Sequence, residues 1–242
     1  MHRSDEQTYY AIDKCCADIH MPLIKEEDKQ FLQSEFKKYM RDDVDLVVFT
    51  SENGDCRYCK EVVQICEELS ETSDKINVKK FIFEREPDES KKYGVTKYPA
   101  VVVTKQGETN GRIKYYGIPS GYEFGSVIED IKMVSTNEAK ISAKAMDIIS
   151  KIDKPVSIKV FVTTSCPYCP RAVGTAHKFA LANSNISGEM IEAGEFSGDA
   201  SEFGVSSVPH IVINGDVQFV GARSDEEFAQ FVLEAYNHSG EA

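Results

Sequence analysis

Two Cys-x-x-Cys motifs, each followed at the same distance by a proline, constrain this 242-residue chain more than any other feature. The motifs are Cys56-Arg57-Tyr58-Cys59 and Cys166-Pro167-Tyr168-Cys169, and the prolines are Pro99 and Pro209. The first cysteines of the two motifs are 110 residues apart, and the two prolines are also 110 residues apart. A spacing shared by two residue types indicates an internal duplication. The chain therefore carries one kind of site twice.

The sequence around the motifs repeats as well. A run of β-branched and aromatic residues precedes each cysteine pair, at 46–49 and 158–162, and predicts a buried strand. Each proline opens a second apolar run, at 101–103 and 211–213, which a turn glycine, another strand and an amphipathic helix follow. This order of elements predicts an α/β chain of two similar domains, each with a central mixed sheet flanked by helices.

Helical patterns and a polar linker set the expected domain limits. Amphipathic helices are predicted within 24–40 and 138–152, one at the start of each domain. The first should place these residues on one face: Phe31, Leu32, Phe36, Tyr39 and Met40. We divide the chain into an N-terminal extension (1–22), a first domain (23–134) and a second domain (135–242). The extension contains Cys15-Cys16 and has no counterpart in the second half, so no function is assigned to it.

The charge balance and the hydropathy pattern exclude several classes of partner. The chain has 28 Lys and Arg against 40 Asp and Glu, a formal net charge of −12, and no basic cluster. Nucleic acid and anionic membranes are therefore not expected as partners. No apolar run approaches the roughly 18 residues that span a bilayer, and no leader-like segment opens the chain. We expect the protein in the cytoplasm.

Four of the seven cysteines belong to the two motifs, which in a reducing compartment indicates catalytic rather than structural disulfides. Thiol–disulfide exchange needs one ionised thiol and a second thiol nearby to resolve the mixed disulfide. A helix N-terminus favours the thiolate, so Cys56 and Cys166 are the expected nucleophiles, each at the start of a helix. Cys59 and Cys169, one turn inside, are the expected resolving thiols. Cys66 lies on the apolar face of the first helix and is predicted to be a core residue.

Two alternative functions could use the same cysteines. The two motifs could hold zinc, or the cysteines could be small core residues of a scaffold or chaperone-like protein, but a complete strand and helix pattern separates the motifs. His210, directly after Pro209, lies near the second motif and is interpreted as a strand-edge side chain. His177 is interpreted as an ordinary helix residue without a role.

Together, the strand, Cys-x-x-Cys, helix and proline-strand order resembles the thioredoxin fold, and Cys166-Pro167-Tyr168-Cys169 resembles the glutaredoxin motif. Two such units in tandem are similar to the two-domain protein disulfide oxidoreductases over residues 23–237. The resemblance implies two cis peptides, Tyr98-Pro99 and Val208-Pro209, whose backbone binds an extended substrate beside the nucleophile. The strands before the cysteines lack the acidic residue that assists the resolving thiol in thioredoxins.

The resemblance also implies an activity and partners. It predicts an oxidoreductase that reduces, forms or isomerises disulfides of protein substrates and needs no bound cofactor. A thioredoxin reductase-like flavoprotein is the expected electron donor. A second hypothesis makes the chain a dedicated electron donor to a peroxiredoxin or another reductase.

Overall fold

A computed structural model describes residues 21–238 of the chain. Cys15, Cys16 and all but the last two residues of the predicted extension lie outside this range. The described residues form eight strands: β1 (Val44–Thr50), β2 (Ile76–Ile82), β3 (Ala100–Lys105), β4 (Ile113–Tyr116), β5 (Val156–Val162), β6 (Ile186–Glu192), β7 (His210–Ile213) and β8 (Val217–Val220). They also form eight helices: α1 (Glu26–Tyr39), α2 (Cys59–Ser70), α3 (Pro87–Lys92), α4 (Glu123–Thr136), α5 (Ala143–Ile149), α6 (Cys169–Ala182), α7 (Ser197–Glu202) and α8 (Asp225–His238).

The strands form one mixed sheet in the order β2-β1-β3-β4-β6-β5-β7-β8. In each half the first two strands are parallel and the last two are antiparallel to their neighbours, as predicted for a mixed α/β sheet. The halves join where β4 runs parallel to β6, with Ile113 opposite Gly188 and Tyr116 opposite Ile191. The predicted tandem architecture is confirmed, and the two sheets are continuous, which the sequence did not indicate.

Both faces of the sheet are buried in a hydrophobic core, which explains why the strands carry apolar side chains on both faces. Alternate residues of a strand point to opposite faces. Leu46 and Val48 therefore contact the larger core, under α1, α2, α4, α5, α6 and α8. Val47 and Phe49 contact a smaller core, to which Tyr93, directly after α3, and Ala200 of α7 also belong. Since α2 and α6 share the larger core, the helices that follow the two Cys-x-x-Cys motifs lie on the same face.

The first predicted helix is present, but the prediction that all five apolar residues share its buried face is wrong for two of them. Leu32, Phe36 and Met40 are buried, whereas Phe31 and Tyr39 are 62% and 43% exposed. The buried residues recur every four positions and so form one narrow stripe on the helix. Phe31 and Tyr39 each precede a stripe residue by one position, a turn of about 100° around the helix axis.

The second predicted helix is shorter than expected. It begins after Ser142, whose hydroxyl accepts a hydrogen bond from the Ala145 N–H at 3.2 Å, and it ends at Ile149. Helix α4 of the first half continues to Thr136, and Asn137 then adopts a left-handed conformation with φ 54°. The boundary between residues 134 and 135 stays a prediction. Within residues 21–238, no helix is long and apolar enough to cross a membrane.

Candidate active sites

The two Cys-x-x-Cys motifs follow β1 and β5, which run in the same direction through the shared sheet. Both motifs therefore lie at the same edge of the sheet, on the face of α2 and α6. Three strands separate β1 from β5, which places the two motifs roughly 19 Å apart at about 4.8 Å per strand. Zinc binds thiolates at about 2.3 Å, so one zinc ion cannot be held by both pairs.

Each motif holds its two cysteines as a closed disulfide, with Cα–Cα distances of 5.6 Å for Cys56 and Cys59 and 5.5 Å for Cys166 and Cys169. Cys59 and Cys169 are buried, Cys166 is 7% exposed, and Cys56 is half-buried. The sulfur nearer to solvent is thus the first of each pair.

The helix does not begin at the first cysteine, which corrects the prediction. Helices α2 and α6 start at Cys59 and Cys169. Tyr58 has φ −126° and lies outside the helical region, and the first helical hydrogen bond of α2 runs from the Val62 N–H to the Tyr58 carbonyl at 2.9 Å. The first cysteine therefore lies in the loop that leads into the helix.

The predicted cis peptides are present at Tyr98-Pro99 and Val208-Pro209. Both prolines are buried, and their carbonyls accept hydrogen bonds from the N–H groups of Gly117 (2.9 Å) and Gly221 (2.8 Å). Within the described part of the chain, neither Tyr98 nor Val208 makes a backbone–backbone hydrogen bond. Their N–H and C=O groups are the ones predicted to bind substrate.

Polar groups surround the first motif. The Ser51 N–H points at the Cys59 sulfur at 3.3 Å. The Arg57 guanidinium lies over the Tyr58 ring, 4.9 Å from its centroid. Asp55 accepts a weak hydrogen bond from the Tyr98 hydroxyl at 3.5 Å. The first motif therefore has side chains of both charges, Asp55 and Arg57, on either side of Cys56.

The second motif has a more apolar rim. Tyr168, between its cysteines, is 71% exposed, and Tyr122, from the first half, is 55% exposed. His210 is buried, and its Nε2 lies 2.9 Å from the side-chain oxygen of Gln218 on the neighbouring strand. This contact fits the interpretation of His210 as a strand residue. Cys66 is buried as predicted, and burial raises the pKa of its thiol to about 12.

One loop of the first half, residues 117–122, runs between the two motifs. Its Ile118 N–H donates to Glu195 of the second half at 2.6 Å. Its Tyr122 N–H donates to the carbonyl of Thr164, two residues before Cys166, at 3.1 Å. Burial is the main cause that raises the pKa of Glu195. The loop thus fixes the two halves to each other beside both candidate sites.

Sequence reasoning missed Glu123, which the structure buries completely at the start of α4. The hydrogen bond from the Tyr122 N–H to the Thr164 carbonyl joins the beginning of α4 to the loop that leads into α6. Further along, Asp130 of α4 contacts His177 of α6, with 2.6 Å between Oδ2 and Nδ1. Contacts at matching depths mean that the two helices run side by side in one direction. Glu123 is therefore near the level of the first turn of α6, which begins at Cys169.

Burial gives Glu123 an unusual acidity. It raises the pKa of this carboxyl to about 7, while a hydrogen bond from the Ser126 hydroxyl at 2.7 Å and the charge of His177 act in the opposite direction. An acidic residue in the first turn of a helix is ordinary in a sequence. No local pattern distinguishes Glu123 from exposed acids such as Glu129, because its burial is decided by the tertiary structure.

Two family models match the chain, one in each half. The thioredoxin model matches residues 27–129, and a thioredoxin domain model matches residues 156–234. Each match contains one of the two Cys-x-x-Cys motifs.

Curated relatives are longer proteins. The NADH dehydrogenase of Bacillus subtilis is 25% identical over 196 residues, which cover 81% of this chain and 36% of that protein. An alkyl hydroperoxide reductase component of Staphylococcus aureus is 24% identical over 189 residues, which cover 76% of this chain and 34% of that protein. The chain thus spans about a third of the length of these relatives.

Solved structures match most of the chain. A protein disulfide oxidoreductase from Aeropyrum pernix superposes with a TM-score of 0.81 at 29% identity and covers 89% of this chain and 94% of its own. The alkylhydroperoxide reductase AhpF of Enterococcus faecalis superposes with a TM-score of 0.79 at 25% identity and covers 86% of this chain and 98% of its own.

Proposed function

Because both halves of the chain belong to the thioredoxin family, we propose that the protein is a disulfide oxidoreductase that exchanges thiols and disulfides of protein substrates at two sites. The observation that carries this proposal is the pair of closed Cys-x-x-Cys disulfides at one edge of the sheet, each beside a cis-proline segment. The cysteines themselves hold the two electrons of each site, so the reaction needs no bound cofactor.

The reduction of a substrate disulfide proceeds in two balanced steps. The thiolate of Cys166 attacks one substrate sulfur, a mixed disulfide forms, and the other substrate sulfur leaves as a thiolate. The Cys169 thiol then loses its proton and attacks the Cys166 sulfur. The bond to the substrate breaks, the second substrate thiolate leaves, and the cysteine pair is oxidised by two electrons. Cys56 and Cys59 take the same roles at the first site.

The resolving thiol of the second site needs a proton acceptor because Cys169 has no exposed surface. Glu123 is the group we assign to this role. It lies near the level of the first turn of α6, it is buried, and its pKa of about 7 lets it take and release a proton near neutral pH. The acid that the strand before the cysteines lacks is thus supplied by the other domain.

Substrate binding is assigned to the segments before the two prolines. The backbone groups of Tyr98 and Val208 would pair with an extended substrate segment as an added strand. Pro99 and Pro209, which are buried, hold these segments in place. Exposed Tyr168 and Tyr122 add apolar surface at the second site, which favours substrates with apolar side chains next to the reactive cysteine.

Reduction of insulin by dithiothreitol tests the proposal, followed by the turbidity of the released B chain. The variants are Cys56→Ser, Cys166→Ser and both together, and the matched control is Cys66→Ala, which removes a buried thiol outside the sites. We expect the double variant to fall to the uncatalysed rate and the control to keep the wild-type rate. Wild-type activity in the double variant would refute the assignment of both sites.

A second function is favoured by the names of the relatives. Alkyl hydroperoxide reductase components match most of this chain by sequence and by structure. The chain could therefore be a dedicated electron donor to a peroxiredoxin or another hydroperoxide-reducing protein, itself reduced by a thioredoxin reductase-like flavoprotein. Transfer to a purified peroxiredoxin at a rate far above that to insulin would select this function.

The proposed compartment is the cytoplasm, where a reducing glutathione and thioredoxin pool returns the sites to the dithiol state. The glutaredoxin-type sequence Cys-Pro-Tyr-Cys at the second site suggests that glutathione disulfides are also accepted there. A comparison of insulin and glutathione disulfide as substrates of the Cys56→Ser variant tests this point.

A further inference from the structure

The loop at 94–98, before the cis-proline of the first site, is held by side chains. Within the described part of the chain, its last three residues make no backbone–backbone hydrogen bond. The Thr96 N–H donates to the Tyr116 hydroxyl at 3.3 Å, and that hydroxyl lies 3.5 Å from the Gly94 carbonyl oxygen. Tyr98 ends this loop, and its backbone is assigned to substrate binding. The position of that backbone therefore depends on the side chains that hold the loop.

Lys97, directly before Tyr98, reaches across the domain junction. Its ammonium group pairs with the carboxylate of Asp199 in α7 of the second half. It also lies 5.3 Å from the ring centroids of Tyr116 in β4 and of Phe196, directly before α7. Aromatic faces attract a cation at this distance. The side chains of Lys97 and Asp199 are only 23% and 31% exposed, so salt screens this ion pair less than one on the open surface.

A second interdomain ion pair holds the other end of the same loop. Lys114 of β4 donates to the Gly94 carbonyl at 3.2 Å and lies 3.0 Å from a carboxylate oxygen of Glu189 in β6. The Lys114 side chain is buried. Both ends of the loop are thus fixed by contacts that include residues of the second half.

The corresponding loop of the second site lacks these contacts. Ser207 stands where the 110-residue register places Lys97 in the first half, and its short side chain carries no charge. Val220 takes the place of Tyr116, since each directly precedes the glycine whose N–H bonds to the cis-proline carbonyl. Tyr116 is buried, but Val220 is 43% exposed because β8 is the last strand of the sheet among the described residues. The two loops are therefore held unequally.

We propose that Asp199 and Phe196 of the second half, through Lys97, position the Tyr98 backbone for extended substrates of the first site. The inference rests on the proposed function and adds a contact that one half supplies to the substrate segment of the other. A loop that is fixed before binding loses less conformational entropy when a substrate strand pairs with it, so the affinity is higher. All three residues act through Tyr98 and are positioning residues.

Two disulfide reagents with the same leaving group separate substrate binding from attack on sulfur. One is DTNB, and the other is an extended peptide whose only cysteine carries thionitrobenzoate in a mixed disulfide. With either reagent, the Cys56 thiolate forms a new disulfide and thionitrobenzoate leaves as a thiolate. Cys59 then loses its proton and attacks the Cys56 sulfur, and the second thionitrobenzoate or the peptide thiolate leaves. The two reagents differ in whether a backbone can pair with Tyr98.

Stopped-flow experiments use the full-length reduced chain in two single-site backgrounds. In the first-site background serine replaces both cysteines of the second motif, and in the second-site background it replaces both cysteines of the first motif. Both backgrounds also carry Cys15→Ser and Cys16→Ser. With DTNB, the first release of thionitrobenzoate reports attack and the second reports resolution. With the peptide, the concentration dependence of the first phase gives its Kd and its maximal rate.

In the first-site background, Lys97→Met and Asp199→Asn should each raise the Kd of the peptide about tenfold, the order expected when one more residue is ordered on binding. The maximal rate and the rate with DTNB should not change, because attack on sulfur does not use the Tyr98 backbone. The double variant should be no weaker than either single variant, since the two residues act as a pair. Asp199→Asn decides the matter if Lys97→Met does not fold.

Two further comparisons distinguish positioning from a general loss of structure. Lys97→Arg keeps a cation that stacks on aromatic rings, so it should keep the Kd close to that of the parent. In the second-site background, Lys97→Met and Asp199→Asn should leave the Kd of the peptide unchanged. An equal rise of Kd at both sites would contradict the proposed contact.

Lys159→Met is the matched control in the first-site background. Lys159 also lies over an aromatic ring, 5.0 Å from the centroid of Phe203, but both residues belong to the second half. The inference is refuted if Lys97→Met and Asp199→Asn keep the parent Kd, if they slow DTNB as much as the peptide, or if Lys159→Met raises the Kd equally. Failure of the proposed function looks different, because the parent background then shows no rapid first phase with DTNB.

Discussion

Glu123 shows how much the environment of one side chain matters at this site. The carboxyl is ordinary in the sequence, but the fold buries it, and burial raises its pKa to about 7. The Glu123 carboxyl therefore changes from neutral to charged within the pH range in which disulfide exchange takes place. The same burial means that the ionised form of Glu123 destabilises the folded protein.

Glu123→Gln should therefore stabilise the protein in a pH-dependent way. Folding raises the pKa of Glu123, so the protonated carboxyl contributes to the free energy of unfolding. This contribution is complete below pH 4.5 and is lost as the pH rises through about 7. A neutral Gln does not suffer this loss. When the pH rises from 4.5 to 8, the free energy of unfolding of Glu123→Gln should increase relative to that of the wild type by roughly 3 kcal/mol. This value is the raised pKa of Glu123 converted into free energy.

Urea unfolding at several pH values measures this difference. Glu129→Gln, at an exposed position of the same helix, is the control and should leave the pH dependence of stability as it is in the wild type. A difference between Glu123→Gln and the wild type that does not change with pH would mean that Glu123 titrates normally.

At the scale of elements, the loop at 117–122 joins the two sites. It bonds to Pro99 at the first site through Gly117, to Glu195 through Ile118 and to Thr164 at the second site. Gly121 has φ +61°, and a Cβ there would lie 2.2 Å from the Thr164 carbonyl oxygen. The close approach of the loop to the second site thus requires glycine at this position.

Gly121→Ala should push the loop away from Thr164 and displace Glu123 from the first turn of α6. We expect a loss of about 1–3 kcal/mol in the free energy of unfolding and a slower resolving step at the second site, with the first site unaffected. Urea unfolding and the two-phase reaction with DTNB measure these effects in the single-site backgrounds.

The matched control is Gly125→Ala, four residues later. A Cβ at Gly125 meets no atom within 4 Å, and the position is helical. This variant should gain up to about 1 kcal/mol of stability from the helix preference of alanine. If both variants behave alike, the contact of the loop with Thr164 does not matter for the second site.

At the scale of the whole molecule, the two domains are parts of one structure. They share an eight-stranded sheet through the pairing of β4 with β6. The Tyr115, Asp130 and His177 cluster crosses the same junction, and Arg112 of the first half donates to the Ala180 carbonyl at 3.0 Å. Separation of the halves would expose two strand edges and leave buried charges unpaired.

The two halves should therefore unfold in a single cooperative transition. Hydrogen exchange followed by mass spectrometry along a urea series can report β1 and β5 separately. We expect the two strands to lose protection at the same urea concentration. Separate midpoints, with one half still protected after the other has opened, would contradict this prediction.

Much of the fold and of the site could be predicted from the sequence because its determinants are local. The duplicated register located both cysteine pairs and both cis-prolines, and the apolar runs located the four strands around them. Periodicity also identified Cys66 as a core residue. It failed for Phe31 and Tyr39, because a hydrophobic side chain next to a buried stripe looks the same whether or not a neighbour covers it.

What the sequence determined by itself is the chemistry of the two sites: which thiols pair, which proline segment lies beside each pair, and that the same unit occurs twice. What only the tertiary structure decided is how the two units cooperate. The merged sheet and the contact of His177 with Asp130 depend on residues from opposite halves, and the acidity of Glu123 depends on its burial. Burial and charge pairing act through space, so no spacing along the chain records them.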